Sequence, residues 1–223
     1  MGGARSSGSS RLKFNGPISV ISNADDMYSE IDIASRMLAP DWDVTPEELN
    51  AIWLEGGYQP FESTDFEDRK RSYIAGRLRI WTGSSGGPEV TAMITPLVER
   101  LGLPYTPYER QSTTMTWMSS HPLIRRPLES LGNLIYNRTQ EHFRARGITE
   151  IEVARKGGLA ERALFSSWSQ TWSGVYKEGG GEFVRAWVPV RQVFSIPATG
   201  FGNRVETEVV LLPGSRRSVP AIF

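Results

Sequence analysis

The sequence contains no cysteine, and this absence excludes disulfide bonds, thiolate metal ligands and a cysteine nucleophile. Histidine is scarce too, because only His121 and His142 are present and their spacing cannot build a metal site between them. No apolar run reaches the length of a membrane span, and the first residues lack the apolar core of a signal peptide. We therefore expect a soluble protein with no metal and no membrane partner, made in a reducing compartment or indifferent to redox state.

An excess of charge of one sign is also missing. The chain has 25 basic and 25 acidic residues, so its formal net charge is zero. A balanced charge argues against a broad electrostatic surface for nucleic acid or membrane, although it leaves room for a local patch. With 223 residues, the chain is long enough to bury a core in one domain, or in one domain plus a small lobe.

The residue pattern divides the chain into three parts. Residues 1–12 are rich in Gly and Ser and predict a flexible arm. Residues 13–127 are predicted to be mostly helical, with further helix starts at residues 64–67 and near residue 89. The clearest helix start is Thr45-Pro46-Glu47-Glu48, which combines an N-cap threonine, a proline at the first position and a capping-box glutamate.

Residues 128–223 are predicted to be rich in strands. An apolar helical stripe begins at Leu128 and runs toward Phe143, and a strand follows from Ile148 to Arg155. Short strands are then expected near residues 164–167, 183–190, 193–196 and 203–213. A helix followed by many short strands indicates an α+β fold whose sheet is assembled late in the chain.

The acidic segment Glu206-Thr207-Glu208 is the most informative part of the sequence. In a regular strand, Glu206 and Glu208 would project from the same side, roughly 7 Å apart. Like charges that close repel each other unless a cation, a substrate or a proton offsets them. The pair predicts an acidic site at the mouth of a cleft, and the plainer alternative is a solvated strand edge.

Arginine at position 155 is a second unusual feature. In the predicted strand, Ile151, Val153 and Arg155 share one face. An arginine that closes an apolar face must meet an anion or the water of a cleft, because its charge cannot be buried unpaired.

Three elements now stand in order along the chain: Arg155 at a strand end, the segment Phe165-Ser166-Ser167-Trp168-Ser169, and Glu206-Thr207-Glu208. This order resembles the arginine–serine–glutamate type of the mono-ADP-ribosyltransferase superfamily. The resemblance covers residues 128–213. Within this range, the segments 137–149, 187–190 and 197–202 also look like bacterial and phage-encoded members. It implies a helical N-terminal part packed on a split, mainly antiparallel β core.

The resemblance also implies a substrate and residue roles. NAD would be cleaved, and Glu208 would stabilise the developing positive charge on the ribose. Ser167 would brace Glu208, with Ser169 in support, and Arg155 would contact the pyrophosphate or ribose. Glu206 would orient or deprotonate the acceptor, a protein side chain expected to be arginine. Such a protein would act in a cytoplasm, including that of a host cell, or as part of a phage particle.

The resemblance also suggests roles for residues in the loops beside these strands. Trp172 and Tyr176 would stack on a ring of NAD, and Lys177 would meet a phosphate; the alternative is that both aromatic residues belong to a core. Phe201 would face the target protein or anchor a buried loop.

This sequence departs from the family pattern around its arginine. Only 12 positions separate Arg155 from Ser167, fewer than relatives usually carry, and Lys156 intervenes before the glycines. Arg79 is therefore a rival for the arginine. Two other functions stay open: a catalytically silent member of the fold with a structural or binding role, and a glycoside hydrolase that uses the acid pair.

Overall fold

The protein is described from a computed structural model. The residues whose structure is described are 10–13, 44–55, 66, 70, 88–107, 122–172, 175, 182–199, 202 and 207–220.

Among the described residues, three α-helices have defined bounds: α1 at Pro46–Glu55, α2 at Pro88–Arg100 and α3 at Pro122–Ala145. A short 3-10 helix, Val190–Gln192, connects two strands of the sheet. The predicted start of α1 is confirmed, because the Thr45 amide donates to Glu48 Oε2 at 2.8 Å and the Glu48 amide donates to Thr45 Oγ1 at 3.2 Å. No helix in the described ranges is long and apolar enough to cross a membrane.

Helix α3 is the longest of these helices, and it begins before the apolar stripe that predicted it. It crosses the boundary proposed between residues 127 and 128, so that boundary falls inside a helix. Gly147, with φ of 65°, follows its end and turns the chain into the sheet. Helix α2 packs closely on α3 at Gly132, where a Cβ would collide with the Met93 carbonyl oxygen.

The described strands form one seven-stranded sheet. They are β1 (Ser10–Leu12), β2 (Ile148–Lys156), β3 (Ser166–Ser169), β4 (Phe183–Pro189), β5 (Val193–Ser195), β6 (Glu208–Leu211) and β7 (Arg217–Val219).

Six of the strands lie in the order β5-β6-β3-β2-β4-β7, and all their pairings are antiparallel. Strand β1 pairs with β2 in parallel. The protein therefore combines helices with a mainly antiparallel sheet, and the predicted α+β class is confirmed.

Strand β1 corrects the predicted flexible arm at residues 10–12; residues 1–9 of that arm lie outside the described residues. Ser10–Leu12 is a strand, and both the Ser10 amide and the Ser10 hydroxyl donate to the Gly147 carbonyl, at 3.1 and 2.9 Å. Arg11 Nε lies 2.8 Å from Glu150 Oε2. Because these partners lie far away in the sequence, the local Gly/Ser composition could not reveal them.

One face of the sheet carries the hydrophobic core and is called the core face below. It packs against α3 through Phe143. Its fully buried side chains come from every central strand: Ile151, Val153, Trp168, Ala186, Val188, Val193, Val209 and Leu211. The opposite face of the same strands is called the Glu208 face.

Candidate functional site

Strands β3 and β6 bring the predicted serines and glutamate together. Ser169 lies directly opposite Glu208, and Ser167 lies opposite Val210. Residues directly opposite in an antiparallel pair project from the same face, so Ser167, Ser169 and Glu208 share the Glu208 face. The Ser167 hydroxyl donates to Glu208 Oε1 at 2.6 Å, and Glu208 is only 6% exposed. The carboxylate is thus buried and oriented by a charge-assisted hydrogen bond.

The strand that carries Glu208 begins later than the alternation of residues 203–213 predicted. Strand β6 starts at Glu208, and Thr207 has a left-handed backbone with φ of 47°. The simple two-residue alternation that put Glu206 beside Glu208 therefore does not extend through Thr207. Glu206 itself lies outside the described residues.

A cluster of hydroxyls surrounds this break in the strand. Thr207 Oγ1 lies 2.7 Å from Thr171 Oγ1 and 3.1 Å from Ser169 Oγ. The Thr171 amide donates to Ser169 Oγ at 3.1 Å, and Ser169 Oγ donates to the Thr171 carbonyl at 2.9 Å. Ser169 therefore ties the loop that follows β3 to the residue that precedes β6.

Arg155 does not join this site, which corrects the expectation that it lines the same cleft. Ala154 lies opposite Ser169, so Ala154 belongs to the Glu208 face and Arg155, the next residue, belongs to the core face. The Arg155 guanidinium carbon lies 5.6 Å from the centre of the Trp168 ring, on the core face, and Arg155 Nε donates to the Lys156 carbonyl at 3.2 Å. The predicted grouping with Ile151 and Val153 is confirmed, but that face is not the face of Glu208.

A second arginine, Arg216, contacts Trp168 on the core face and was not anticipated from the sequence. Its guanidinium carbon lies 5.0 Å from the ring centre, and its nitrogens donate to the Leu159 carbonyl, to Ser166 Oγ and to the Leu212 carbonyl. Arg216 is 5% exposed. Burial, and then the nearby positive charge of Arg155, lower the pKa of Arg216 to about 10. Two of its three acceptors, Leu159 and Ser166, lie 57 and 50 residues before it in the sequence, so no local signal marks these contacts.

The strand register puts Lys156, the last residue of β2, on the Glu208 face. It lies directly opposite Phe183 on β4, and its ammonium nitrogen is 5.4 Å from the centre of the Phe183 ring. The predicted stacking residue Trp172 meets the same phenylalanine edge to face, with ring centres 5.7 Å apart. Trp172 is half-buried, and the three side chains form one aromatic and cationic group. Alternation along β2 is the signal that could have identified Lys156.

An ion pair on the Glu208 face is shared by β2 and β4. Arg185 Nη2 lies 2.5 Å from Glu152 Oε1, and Glu152 is 5% exposed. Residues 152 and 154 lie on the same side of β2, and Arg185 lies opposite Ala154. The Glu208 face therefore carries charged and hydroxyl side chains next to the buried apolar residues Ala154 and Val210, whereas the core face is mainly apolar.

Several predicted site residues lie outside the described residues. They are Arg79, Tyr176, Lys177, Phe201 and Glu206; His121, for which no site role was predicted, also lies outside the described residues. The described part of the predicted site is thus Ser167, Ser169, Trp172 and Glu208, with Arg155 on the other side of the sheet.

Comparisons of the chain with protein-family models, with curated proteins and with solved structures found no match.

Proposed function

We propose that this chain is a mono-ADP-ribosyltransferase that cleaves NAD and transfers ADP-ribose to a protein side chain, with arginine as the expected acceptor. The observation that carries the proposal is the 2.6 Å hydrogen bond from Ser167 to the buried carboxylate of Glu208. The two residues come from the Ser-x-Ser and Glu-x-Glu segments, which the resemblance pairs in this way. Their strands, β3 and β6, are also neighbours in the sheet.

The reaction explains why a fixed carboxylate is useful. The bond between the ribose C1′ carbon and the nicotinamide nitrogen breaks, and nicotinamide leaves with the bonding electron pair. A guanidinium nitrogen of the acceptor forms the new bond to C1′ and loses a proton. Positive charge develops on the ribose along the way, so a carboxylate already oriented there stabilises the transition state more than the ground state.

The proposed roles follow from this charge distribution. Glu208 accepts a hydrogen bond from the ribose 2′-hydroxyl, and Ser167 holds the carboxylate in place. Ser169 supports the start of β6, Trp172 offers a ring surface to NAD, and Glu206 is proposed to orient the acceptor.

Lys156 takes the anionic contact in this proposal, in place of Arg155. Both residues end β2, but only Lys156 shares the face of Ser167 and Glu208. An ammonium group is a compact charge that pairs with phosphate oxygens, although it lacks the bidentate fork of arginine. Lys156 lies beside Phe183 and Trp172, so one group of side chains offers both a charge and a ring surface.

The proposal is tested by transfer of label from NAD to free arginine and to proteins of a cell lysate. Wild type should label the acceptor, and Glu208→Gln should lower the rate by about 10²–10³-fold, the size seen when a transition-state contact is removed. Glu150→Gln is the matched control, since it removes a carboxylate from the same sheet face, beside Arg11 and Arg217. Equal labelling by all three proteins would remove Glu208 from the mechanism, and no labelling by wild type would remove the activity.

The second candidate is a catalytically silent protein of this fold with a structural or binding role. The position of Arg155 over Trp168, away from Glu208, favours it. Calorimetry separates the two candidates, because a silent scaffold gives no heat on titration with NAD, whereas the proposed enzyme binds NAD with measurable heat.

A further inference from the structure

Thr207 has a backbone conformation that threonine seldom adopts. Its φ is 47°, in the left-handed region, and the branched Cβ of threonine makes that region unfavourable. Such conformations persist only where the surroundings fix them, and they concentrate at functional sites. Thr207 directly precedes Glu208, the first residue of β6.

Contacts from one short segment, the last residue of β3 and the two residues after it, hold Thr207 in this conformation. The hydroxyls of Ser169 and Thr171 lie 3.1 and 2.7 Å from Thr207 Oγ1. The Gln170 amide donates to the Thr207 carbonyl at 3.2 Å. Thr207 is therefore held through its side chain and its main chain at once.

The same geometry fixes the direction in which the chain enters β6. Glu208 pairs with Ser169, and its side chain projects from β6 on the face of Ser167. The Ser167 hydroxyl lies 2.6 Å from Glu208 Oε1. An extended residue at position 207 would continue the strand backward and remove the turn. A change of backbone at this point rotates the Cα–Cβ bond of the next residue relative to the hydroxyl of Ser167.

We propose that Thr207 is a positioning residue, whose hydroxyl contacts with Ser169 and Thr171 maintain the left-handed turn that aims the Glu208 carboxylate at Ser167. The expected effect of Thr207 on activity rests on the proposed function. Its expected effect on the position of the Glu208 side chain does not.

The test compares two substitutions at this position. Thr207→Val keeps the shape of the side chain and removes the hydroxyl, so it should lower kcat for NAD cleavage by about 10-fold or more, because small misplacements of reacting groups are costly. KM for NAD should change little, since no contact with NAD is removed. Thr207→Ser restores the hydroxyl and should return kcat to within a few-fold of wild type.

The matched control is Thr139→Val. Thr139 also has a buried hydroxyl in contact with another threonine, with its Oγ1 2.7 Å from Thr199 Oγ1, and it lies on α3. It should lower the melting temperature and leave kcat near wild type. Unchanged kcat in Thr207→Val, or an equal loss in Thr139→Val, would overturn the proposal.

A crystal structure of Thr207→Val gives a readout that needs no activity. Residue 207 should leave the left-handed region, and the Ser167–Glu208 hydrogen bond should lengthen or break. If wild type does not cleave NAD, the proposed function fails and this structure alone decides the positioning role. A retained left-handed residue with the hydrogen bond intact would overturn it.

Discussion

The two faces of the sheet differ sharply although the same strands form both. On the core face, Trp168, Val153 and their neighbours are fully buried against α3. On the Glu208 face, side chains at matching positions make ion pairs and hydrogen bonds, as in Glu152 with Arg185 and Ser167 with Glu208. Adjacent residues such as Trp168 and Ser167 therefore have different surroundings: Trp168 is buried in the hydrophobic core, and Ser167 contacts the carboxylate of Glu208 on the other face.

Trp168→Ala should cause the largest effect, on stability. The residue is fully buried at the centre of the core face and contacts Arg155 and Arg216, so its truncation should lower the free energy of unfolding by about 3–5 kcal/mol. Urea denaturation measures the loss. Trp187→Ala is the matched control, because Trp187 lies opposite Glu152 on the other face and is only partly buried. A larger loss of unfolding free energy for Trp187→Ala than for Trp168→Ala would contradict the assignment of the hydrophobic core to the Trp168 face.

Ser166 and Ser167 allow the sharpest comparison, since they are adjacent and lie on opposite faces. Ser167→Ala should lower kcat for NAD cleavage by about 10-fold, because a hydrogen bond to a charged group is lost, and it should also cost some stability, because the buried Glu208 carboxylate loses a donor. Ser166→Ala should leave kcat near wild type and lower stability alone. Its hydroxyl accepts from Trp168 Nε1 at 3.0 Å and from Arg216 Nη2 at 3.1 Å, so its loss should cost about 1–3 kcal/mol of stability. Equal profiles for the two variants would contradict the assignment.

Arg155 and Lys156 offer the next test. Lys156→Gln should raise KM for NAD by about 10-fold, the value of a lost charge-assisted contact to phosphate. Arg155→Gln should leave KM near wild type and lower the melting temperature, because Arg155 packs over Trp168. The opposite result would return the anionic contact to Arg155.

His142 should give the smallest effect, as a change of stability with pH. Burial, and then the charge of Arg146, lower the pKa of His142 below its ordinary 6.5 in the folded protein. The unfolded chain therefore takes up the proton first as the pH falls, and the folded state loses stability below about pH 6.5. His142→Gln should reduce this slope between pH 7 and 5 in urea titrations. A slope that is unchanged would show that His142 does not contribute.

Local patterns predicted the elements well but not their mutual register. The capping box before α1 and the alternation of β2 involve neighbouring residues, and both predictions are confirmed. Alternation also grouped Arg155 correctly with Ile151 and Val153. Whether that face was also the face of Glu208 depended on the pairing of Ala154 with Ser169 and of Ser169 with Glu208, which no local pattern contains.

Two further differences have the same long-range origin. Strand β1 pairs with β2, which lies far along the chain. The local Gly/Ser composition does not contain this pairing, and by itself it indicated an arm. Thr207 fits the alternating pattern of a strand by its residue type, yet the hydroxyls of Ser169 and Thr171 hold it in a turn. In both places, contacts across the sheet override the local preference.

The most direct test of the account is a crystal structure of Glu208→Gln with bound NAD. The account predicts the nicotinamide ribose on the Glu208 face, with its 2′-hydroxyl about 3 Å from the side chain of residue 208 and the pyrophosphate next to Lys156. An NAD molecule bound beside Arg155 and Trp168, on the core face, would contradict it.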